Sequence, residues 1–424
     1  MKILLVTPVY EPAWMYGGVV NSNCTLCRAL AQLGASVTVY TTNASKSSRP
    51  LAVPLNRPVD VGGVTVYYFE STFGPNNTFH SRALVKKLWQ TVSDYDVVYV
   101  VALWQWIGIQ AAKICHKTNV PMVVAIKGGF SKSLRRKSYI RKQVFRMCFL
   151  RRALKRAAAI HLTSEAEREA AGSWLAEMPA LYLPNAVDPK KYSLSMERRR
   201  TPHILYEPDA VDPERYYSSA EQRRVFREKH GIPANSPVVI CVARPDWKKR
   251  VDLLIGGLRK MREWHLVFVG EHTCEKGPEW KKYAETLGVS ERVHWPGFLA
   301  GRDLLAALSA SDLFALVSEN ENFGMVVVEA MLCGLPVMVS KEVGVWEFIK
   351  DEPFTIVAER TVESIVEGMA SVNATMLSSQ IDRDYIKQVA CKKFAPPVVA
   401  RHFMEELKKL LNGKDKSAPY PANR

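Results

Sequence analysis

Three carboxylates, Glu319, Glu321 and Glu329, stand within eleven residues of one another in "SENENFGMVVVEAMLCGLPV", residues 318–337. An apolar run separates the last two. From Met325 to Leu332 it shows no alternation of period two, so it reads as a helix packed on more than one side. Gly334 suits a left-handed cap, and Pro336 cannot continue the helix. Asn322, Phe323 and Gly324 are then the approach to a helix that opens at Met325. Free N–H groups and the dipole at such a start favour an anionic or hydroxyl-rich ligand. Charge complementing the dipole accounts for Glu319 or Glu321. It does not account for Glu329, because an acid inside an apolar helix needs a partner.

A second constellation lies upstream in "VARPDWKKRVDLLI", residues 242–255. A strand delivers Arg244 at its carboxyl end, and Lys249 follows five residues later, ahead of a helix. Arginine offers a planar fork and lysine a point charge, and together they suit a diphosphate. Alone, such a loop is ordinary solvated surface. Its place in the same half of the chain as Glu321 and Glu329 gives it weight.

The elements that must position these groups repeat along the chain. "KILLVTPV" is followed by a glycine turn at Gly17–Gly18 and a helix ending near Gly34. "SVTVYTT", "VTVYYF", "DVVYVV", "PMVVAI" and "AAIHLT" come next, separated by helical segments. The second half repeats the rhythm with "PVVICVA", "WHLVFVG", "RVHWPG", "LFALVS", "PVMVS" and "FTIV". Continuous apolar strands alternating with helices indicate an α/β protein with parallel sheets covered on both faces. A chain of 424 residues is long for one core. The expectation is two Rossmann-like, doubly wound domains, each with its ligand site at strand carboxyl ends. The boundaries fall at 1–185 and 217–394, with a linker over 186–216. The linker carries a duplication: "PNAVDPKKY" at 184–192 recurs as "PDAVDPERY" at 208–216. Residues 395–412 read as a closing helix with prolines at its start, and the polar tail 413–424 as disordered.

Charge is shared unevenly. Residues 1–200 hold 28 Lys/Arg against 11 Asp/Glu, whereas the rest holds 30 against 31. Such asymmetry points to an acidic surface met by the first domain. Its focus is "KSLRRKSYIRKQVFRMCFLRRALKR", residues 132–156, with eleven Lys/Arg and no acid. Ile140, Val144, Met147 and Leu154 share one helical face, interrupted by Arg151, as in a basic helix resting on anionic lipid. A solvated basic face is the plainer reading. Nucleic acid is not expected, because no reader motif accompanies the charge. The eight cysteines are scattered, and the one C-x-x-C, Cys24 and Cys27, reads as core at helical spacing. D-x-D occurs at Asp94–Asp96 and Asp382–Asp384, a pattern too short to imply a metal. The opening "MKILLVTPVY" reads as a strand and lacks the length of a signal-peptide apolar core, and the longest apolar stretch, Val97 to Ala112, falls short of membrane-spanning length. A cytoplasmic chain is expected, peripheral at the inner membrane face where the basic segment docks.

Together, "ENFGMVVVE" and the Arg244-x4-Lys249 pair closely resemble the retaining nucleotide-sugar glycosyltransferases of family 4, glycosyltransferase group 1, with a GT-B fold. The turn "YGGVVNSNCTLCRALAQLG" and "PNAVD" fit the same family, and the likeness covers roughly residues 1–412. The resemblance implies an acceptor domain and a nucleotide-sugar donor domain facing a cleft. It implies that Glu321 holds sugar hydroxyls beside the reacting carbon, while Phe323 and Gly324, at the start of the Met325 helix, offer N–H groups to the sugar. Glu329 would accept the ribose hydroxyls, and Arg244 and Lys249 would neutralise the leaving diphosphate. Gly17 and Gly18 would let backbone approach that diphosphate, and Phe298 and Leu299 would neighbour the base. No metal and no further cofactor is implied, since positive groups and helix starts can replace a cation. The acceptor expected is a glycolipid or glycan. Family members commonly carry a histidine where this chain has Lys127, in "IKGGFSK", and Ala186 replaces the usual glycine of "PNGVD". His80 and His161 are not at the histidine position and read as structural. The alternatives are a transferase with a small soluble acceptor, or a catalytically silent scaffold or basic binding protein.

Overall fold

The computed structural model describes residues 1–46, 49–73, 79–101, 104–129, 145–171, 178–192, 219–273, 275–377 and 382–413. The second copy of the duplication, most of the basic segment and the tail therefore lie outside the described residues. The chain divides into two units, Met1–Val187 with Phe394–Arg424, and Asp188–Lys393. Each unit is built on its own, almost wholly parallel α/β sheet.

In unit 1 the strands are β1 (Lys2–Val6), β2 (Ser36–Thr42), β3 (Pro58–Asp60), β4 (Thr65–Phe69), β5 (Thr72–Phe73), β6 (Phe79–His80), β7 (Val97–Val100), β8 (Met122–Ala125), β9 (Ala159–Leu162) and β10 (Ala180–Tyr182). Eight of them form one sheet in the order β10-β9-β8-β7-β1-β2-β4-β3, while β5 and β6 make a separate hairpin. Every pair in the large sheet is parallel except β3 with β4. Pro58 opens β3, an edge position where a missing N–H costs least. The central strand β1 aligns Ile3 with both Val37 and Val97, and its last four residues are buried. Burial on both faces is why "ILLV" shows no alternation.

The C-terminal helix Pro396–Asn412 belongs to this unit and packs on helix Gly18–Gln32. Phe403 is fully buried, with its ring 5.1 Å from Tyr99 and 5.8 Å from His161. The chain leaves unit 1 and re-enters it at one place, where the Val187 N–H donates to Phe394 O at 2.9 Å.

Unit 2 has β11 (Val238–Val242), β12 (His265–Val269), β13 (Val293–Gly297), β14 (Leu313–Leu316), β15 (Val337–Val339) and β16 (Thr355–Val357). All are parallel, in the order β13-β12-β11-β14-β15-β16. The order reverses between β11 and β14. In open α/β sheets a crevice forms at the carboxyl ends of the two strands flanking such a reversal. At the opposite end buried Asp312 accepts from Arg227 at 2.9 Å, Arg223 at 2.8 Å and the Val238 N–H at 2.9 Å, fixing helix Ser219–Lys229 to the sheet.

Candidate active site

Both chemical segments of the second half emerge at that reversal, one after β11 and the other after β14. Past β11 the chain turns through a single 3-10 turn, Trp247–Lys249, capped where Asp246 Oδ1 accepts the Lys248 N–H at 3.2 Å. Arg250 then takes φ 50°, a strained value for a side-chain-bearing residue. This tight path directs Lys249 inward, only 8% exposed, and leaves Arg244 at the surface. The ammonium of Lys249 donates to Glu321 Oε2. A buried cation needs such a partner, and the nearest carboxylate is the other group expected to do chemistry.

Glu321 has a firmly held backbone. Its N–H donates to Glu342 O at 3.0 Å and its carbonyl accepts from Gly344 at 3.1 Å. Phe323 is 2% exposed, its ring 6.1 Å from Phe348, and its carbonyl accepts from Val345 at 2.8 Å. Gly324 caps helix Met325–Leu332 at φ 83°, where a Cβ would lie 2.7 Å from Val343 Cγ1. Glycine is required there by conformation and by space. The Glu319 N–H donates to Lys248 O at 2.7 Å, and its carboxylate accepts from Arg250 at 3.3 Å, so the two loops are stitched together. Glu329 is half-buried within the helix and interacts with other protein groups. Burial first, and then the Glu329 charge, push the Cys333 thiol up to about 12. Beyond β13, Phe298 is 75% exposed and Leu299 is half-buried.

Gly17, at φ 71° and ψ −137°, is the cap of helix Gly18–Gln32, and a Cβ there would meet nothing within 4 Å. Conformation alone demands glycine, and the space above the turn is open. Lys127 follows β8 at φ 46°. Its ammonium donates to Asn185 Oδ1 at 2.7 Å and to Ser22 Oγ at 3.1 Å. Burial pulls its pKa down from 10.5 to about 8, while Glu167 and Cys27 act in the opposite sense. Glu167 pins this turn: one carboxylate oxygen accepts the Gly128 N–H, and the other accepts the Thr163 N–H at 2.9 Å. Its own carboxyl is raised by burial.

His161 is enclosed between Tyr99 Oη at 2.7 Å and Leu183 O at 3.1 Å. Because a carbonyl only accepts, Nε2 carries the proton, and burial holds the ring's pKa down at about 3. It is a neutral core group. Cys24 and Cys27 are buried free thiols whose pKa values burial raises. Asp382 caps helix Arg383–Phe394, accepting from Asp384 at 3.0 Å and Tyr385 at 2.9 Å, which explains that D-x-D locally. Among the described residues no group of three or more His, Cys, Asp or Glu could hold a metal. Among them, too, no helix is long and apolar enough to cross a membrane.

Sequence reasoning missed Ser22, Asn185 and Glu167 as partners of the Lys127 turn. For Glu167 a signal existed, since Ser164-x-x-Glu167 reads as a capping box. It also read Glu321 as a group whose partners are ligand hydroxyls, whereas the carboxylate is already engaged by Lys249. The physical reason is the burial of Lys249, which a linear reading does not show.

Two family models match the chain. That described as "Glycosyl transferases group 1" covers residues 222–392, and that described as "Glycosyl transferase 4-like domain" covers residues 17–186. An uncharacterized glycosyltransferase of Methanocaldococcus jannaschii is 33% identical over 171 residues, 39% of this chain and 42% of that protein. The sulfoquinovosyl transferase of Arabidopsis thaliana is 33% identical over 126 residues, 30% of this chain and 23% of that protein. The matched segment thus spans less than half the length of these curated relatives. In structure, HepE of Anabaena in complex with UDP and glucose superposes with a TM-score of 0.63 at 22% identity, covering 96% of this chain and 100% of that one. With both family models in place on two parallel-sheet units, the chain belongs to the group 1 glycosyltransferases of GT-B fold.

Proposed function

We propose that the protein moves a sugar from a nucleotide-diphosphate donor, with retention at the anomeric carbon, to a lipid-linked or polysaccharide acceptor at the cytoplasmic membrane face. The observation that carries this reading is the Lys249–Glu321 ion pair beside the glycine-capped start of helix Met325–Leu332, at the β11/β14 reversal. A diphosphate is a better partner for Lys249 than one carboxylate, because it carries more charge and more acceptor oxygens. Its arrival frees Glu321 to accept from sugar hydroxyls. Arg244, exposed nearby in sequence, adds a second cation for the departing phosphate. Glu329 takes the ribose hydroxyls, and the exposed ring of Phe298 offers a face to the base, with Leu299 beside it. From unit 1 the family resemblance adds Gly17, Gly18 and Lys127 as proposed substrate contacts. These fixed positive groups supply the charge stabilisation that a cation gives in other transferases.

Thermal unfolding in the presence of UDP, GDP and ADP and their sugars tests the donor reading. One base series should raise the melting temperature, because a ligand bound only by the folded state stabilises it. A flat response to all three series sinks the proposal.

The membrane part rests on the basic segment 132–156. Binding to anionic vesicles should weaken as salt rises, because the attraction is screened. Replacing Arg135, Arg136, Arg141 and Lys142 by Gln should release the protein. Equal binding to neutral and anionic vesicles at every salt concentration would remove the membrane from the proposal.

A further inference from the structure

In unit 1, an open pocket of about 530 Å³ lies against helices Arg82–Thr91 and Trp106–Thr118. Ser81 caps the first of these, accepting the Leu84 N–H at 3.4 Å, and so sets its phase. Leu84 and Leu88 then face the sheet and are fully buried. Arg82, Lys86 and Trp89 recur at helical spacing on the opposite side and line the cavity, with Gln90 beside them. The second helix contributes Trp106 and Gln110, one turn apart, and His80 of β6 also lines the pocket.

The chemistry of this lining is consistent within itself. Trp89 is 43% exposed, with the Lys117 ammonium 5.8 Å from its ring centroid. Trp106 is braced by Phe149, whose ring lies 5.3 Å away edge to face. Two indoles, one held from behind, are flat apolar surfaces of the kind on which the C–H face of a pyranose lies. Gln90 and Gln110 bring neutral amides able both to donate and to accept, which matches hydroxyls. His80 Nδ1 is a buried ring nitrogen with no hydrogen-bond partner among the described residues. Such an atom calls for a ligand or a water. Arg82 and Lys86 are exposed cations, and the lining contains no acid. An apolar ring, hydroxyls and a negative charge are thus all provided for. A bilayer surface would use the cations and indoles but leave the amides and His80 without purpose.

We propose that this cavity is a saccharide subsite for a sugar ring bearing an anionic group, either carboxylate or sulfate. The sugar stacks on Trp89 and Trp106, its hydroxyls pair with Gln110 and His80, and its anion meets Arg82 and Lys86. The proposal concerns occupancy and not transfer, so it does not depend on the donor chemistry of unit 2.

Calorimetric titration of the full-length protein with an oligogalacturonate tetramer, a heparin tetrasaccharide and neutral maltotetraose tests it. At least one acidic oligosaccharide should bind, and more tightly than maltotetraose. Trp89→Ala should weaken that binding by about tenfold, and Arg82→Gln with Lys86→Gln by a similar factor. All of these positions are exposed, so the variants should fold and keep the wild-type melting temperature. Which acid binds separates a uronate from a sulfated ligand. The proposal is overturned if neither acidic sugar binds, or if Trp89→Ala leaves their binding unchanged. It is equally overturned if inorganic sulfate competes as well as the oligosaccharide, which marks a simple anion patch. Vesicles containing phosphatidylglycerol that bind with the same Trp89 dependence, while the sugars do not, would assign the face to lipid instead.

Discussion

Glu321→Ala should reduce sugar transfer by roughly 10- to 150-fold, the equivalent of about 1.5–3 kcal/mol for a lost hydrogen bond to a charged group. Two effects combine in that variant. The donor loses a carboxylate beside its sugar, and Lys249 loses the anion that compensates its burial. The second effect is separable, because it lowers the melting temperature without donor and is recovered when a diphosphate supplies negative charge. Glu321→Gln keeps an acceptor for Lys249 but not the charge, so it should fold better than the Ala variant and transfer almost as poorly. Glu329→Ala should lower kcat/KM by a similar factor through weaker donor binding, visible as a raised KM. Near wild-type transfer rates in both Glu321→Ala and Glu329→Ala, measured with the true donor, would remove the site assignment.

Lys127 should give the next largest change and a pH signature. In the folded protein its pKa is pulled down to about 8, against 10.5 without burial. Between those values the unfolded chain holds the proton more firmly than the folded one. Stability from this group therefore rises as pH climbs from about 8 to 10.5 and is flat below that range. Lys127→Met should abolish that rise in melting temperature, whereas an identical pH profile in the variant would contradict the burial of the ammonium. For transfer, Lys127→Ala should cut the rate strongly, and Lys127→Arg should keep part of it through retained charge. If the wild type is inert with every donor and Lys127→His gains transfer, the protein is a silenced scaffold. If Lys127→Ala equals an active wild type, Lys127 has no part in the reaction.

The parallel strands were legible because burial on both faces makes them unbroken apolar runs, as "ILLV" in β1 and "VVICV" in β11 illustrate. The strands β3, β5, β6 and β10 were not, because segments of two or three residues owe their pairing to a neighbour and not to their own pattern. Site residues followed the same division. Glu321, Glu329, Arg244 and Lys249 stand out by type and spacing within short windows. The ion pair that joins Lys249 to Glu321 spans 72 residues, and the contacts from Lys127 to Asn185 and Ser22 span 58 and 105. No local window contains such a contact. The fold creates it by bringing different strand ends to one edge of a sheet. Gly324 lies between the two cases: its place in the approach to the helix is visible in the sequence, but its capping conformation and the close approach of Val343 are not.

The return of the chain to unit 1 at Phe394 has a consequence for synthesis on the ribosome. Residues 1–187 emerge first, yet the helix that covers Tyr99 and His161 is encoded after the whole of unit 2. Until Phe403 leaves the exit tunnel, the nascent first unit carries an open apolar groove along helix Gly18–Gln32. Unit 2, by contrast, is contiguous in sequence and can complete its core while the last helix is still being made. The second half of this protein is therefore finished before the first, and a message truncated ahead of Pro396 yields one closed unit and one left unsealed.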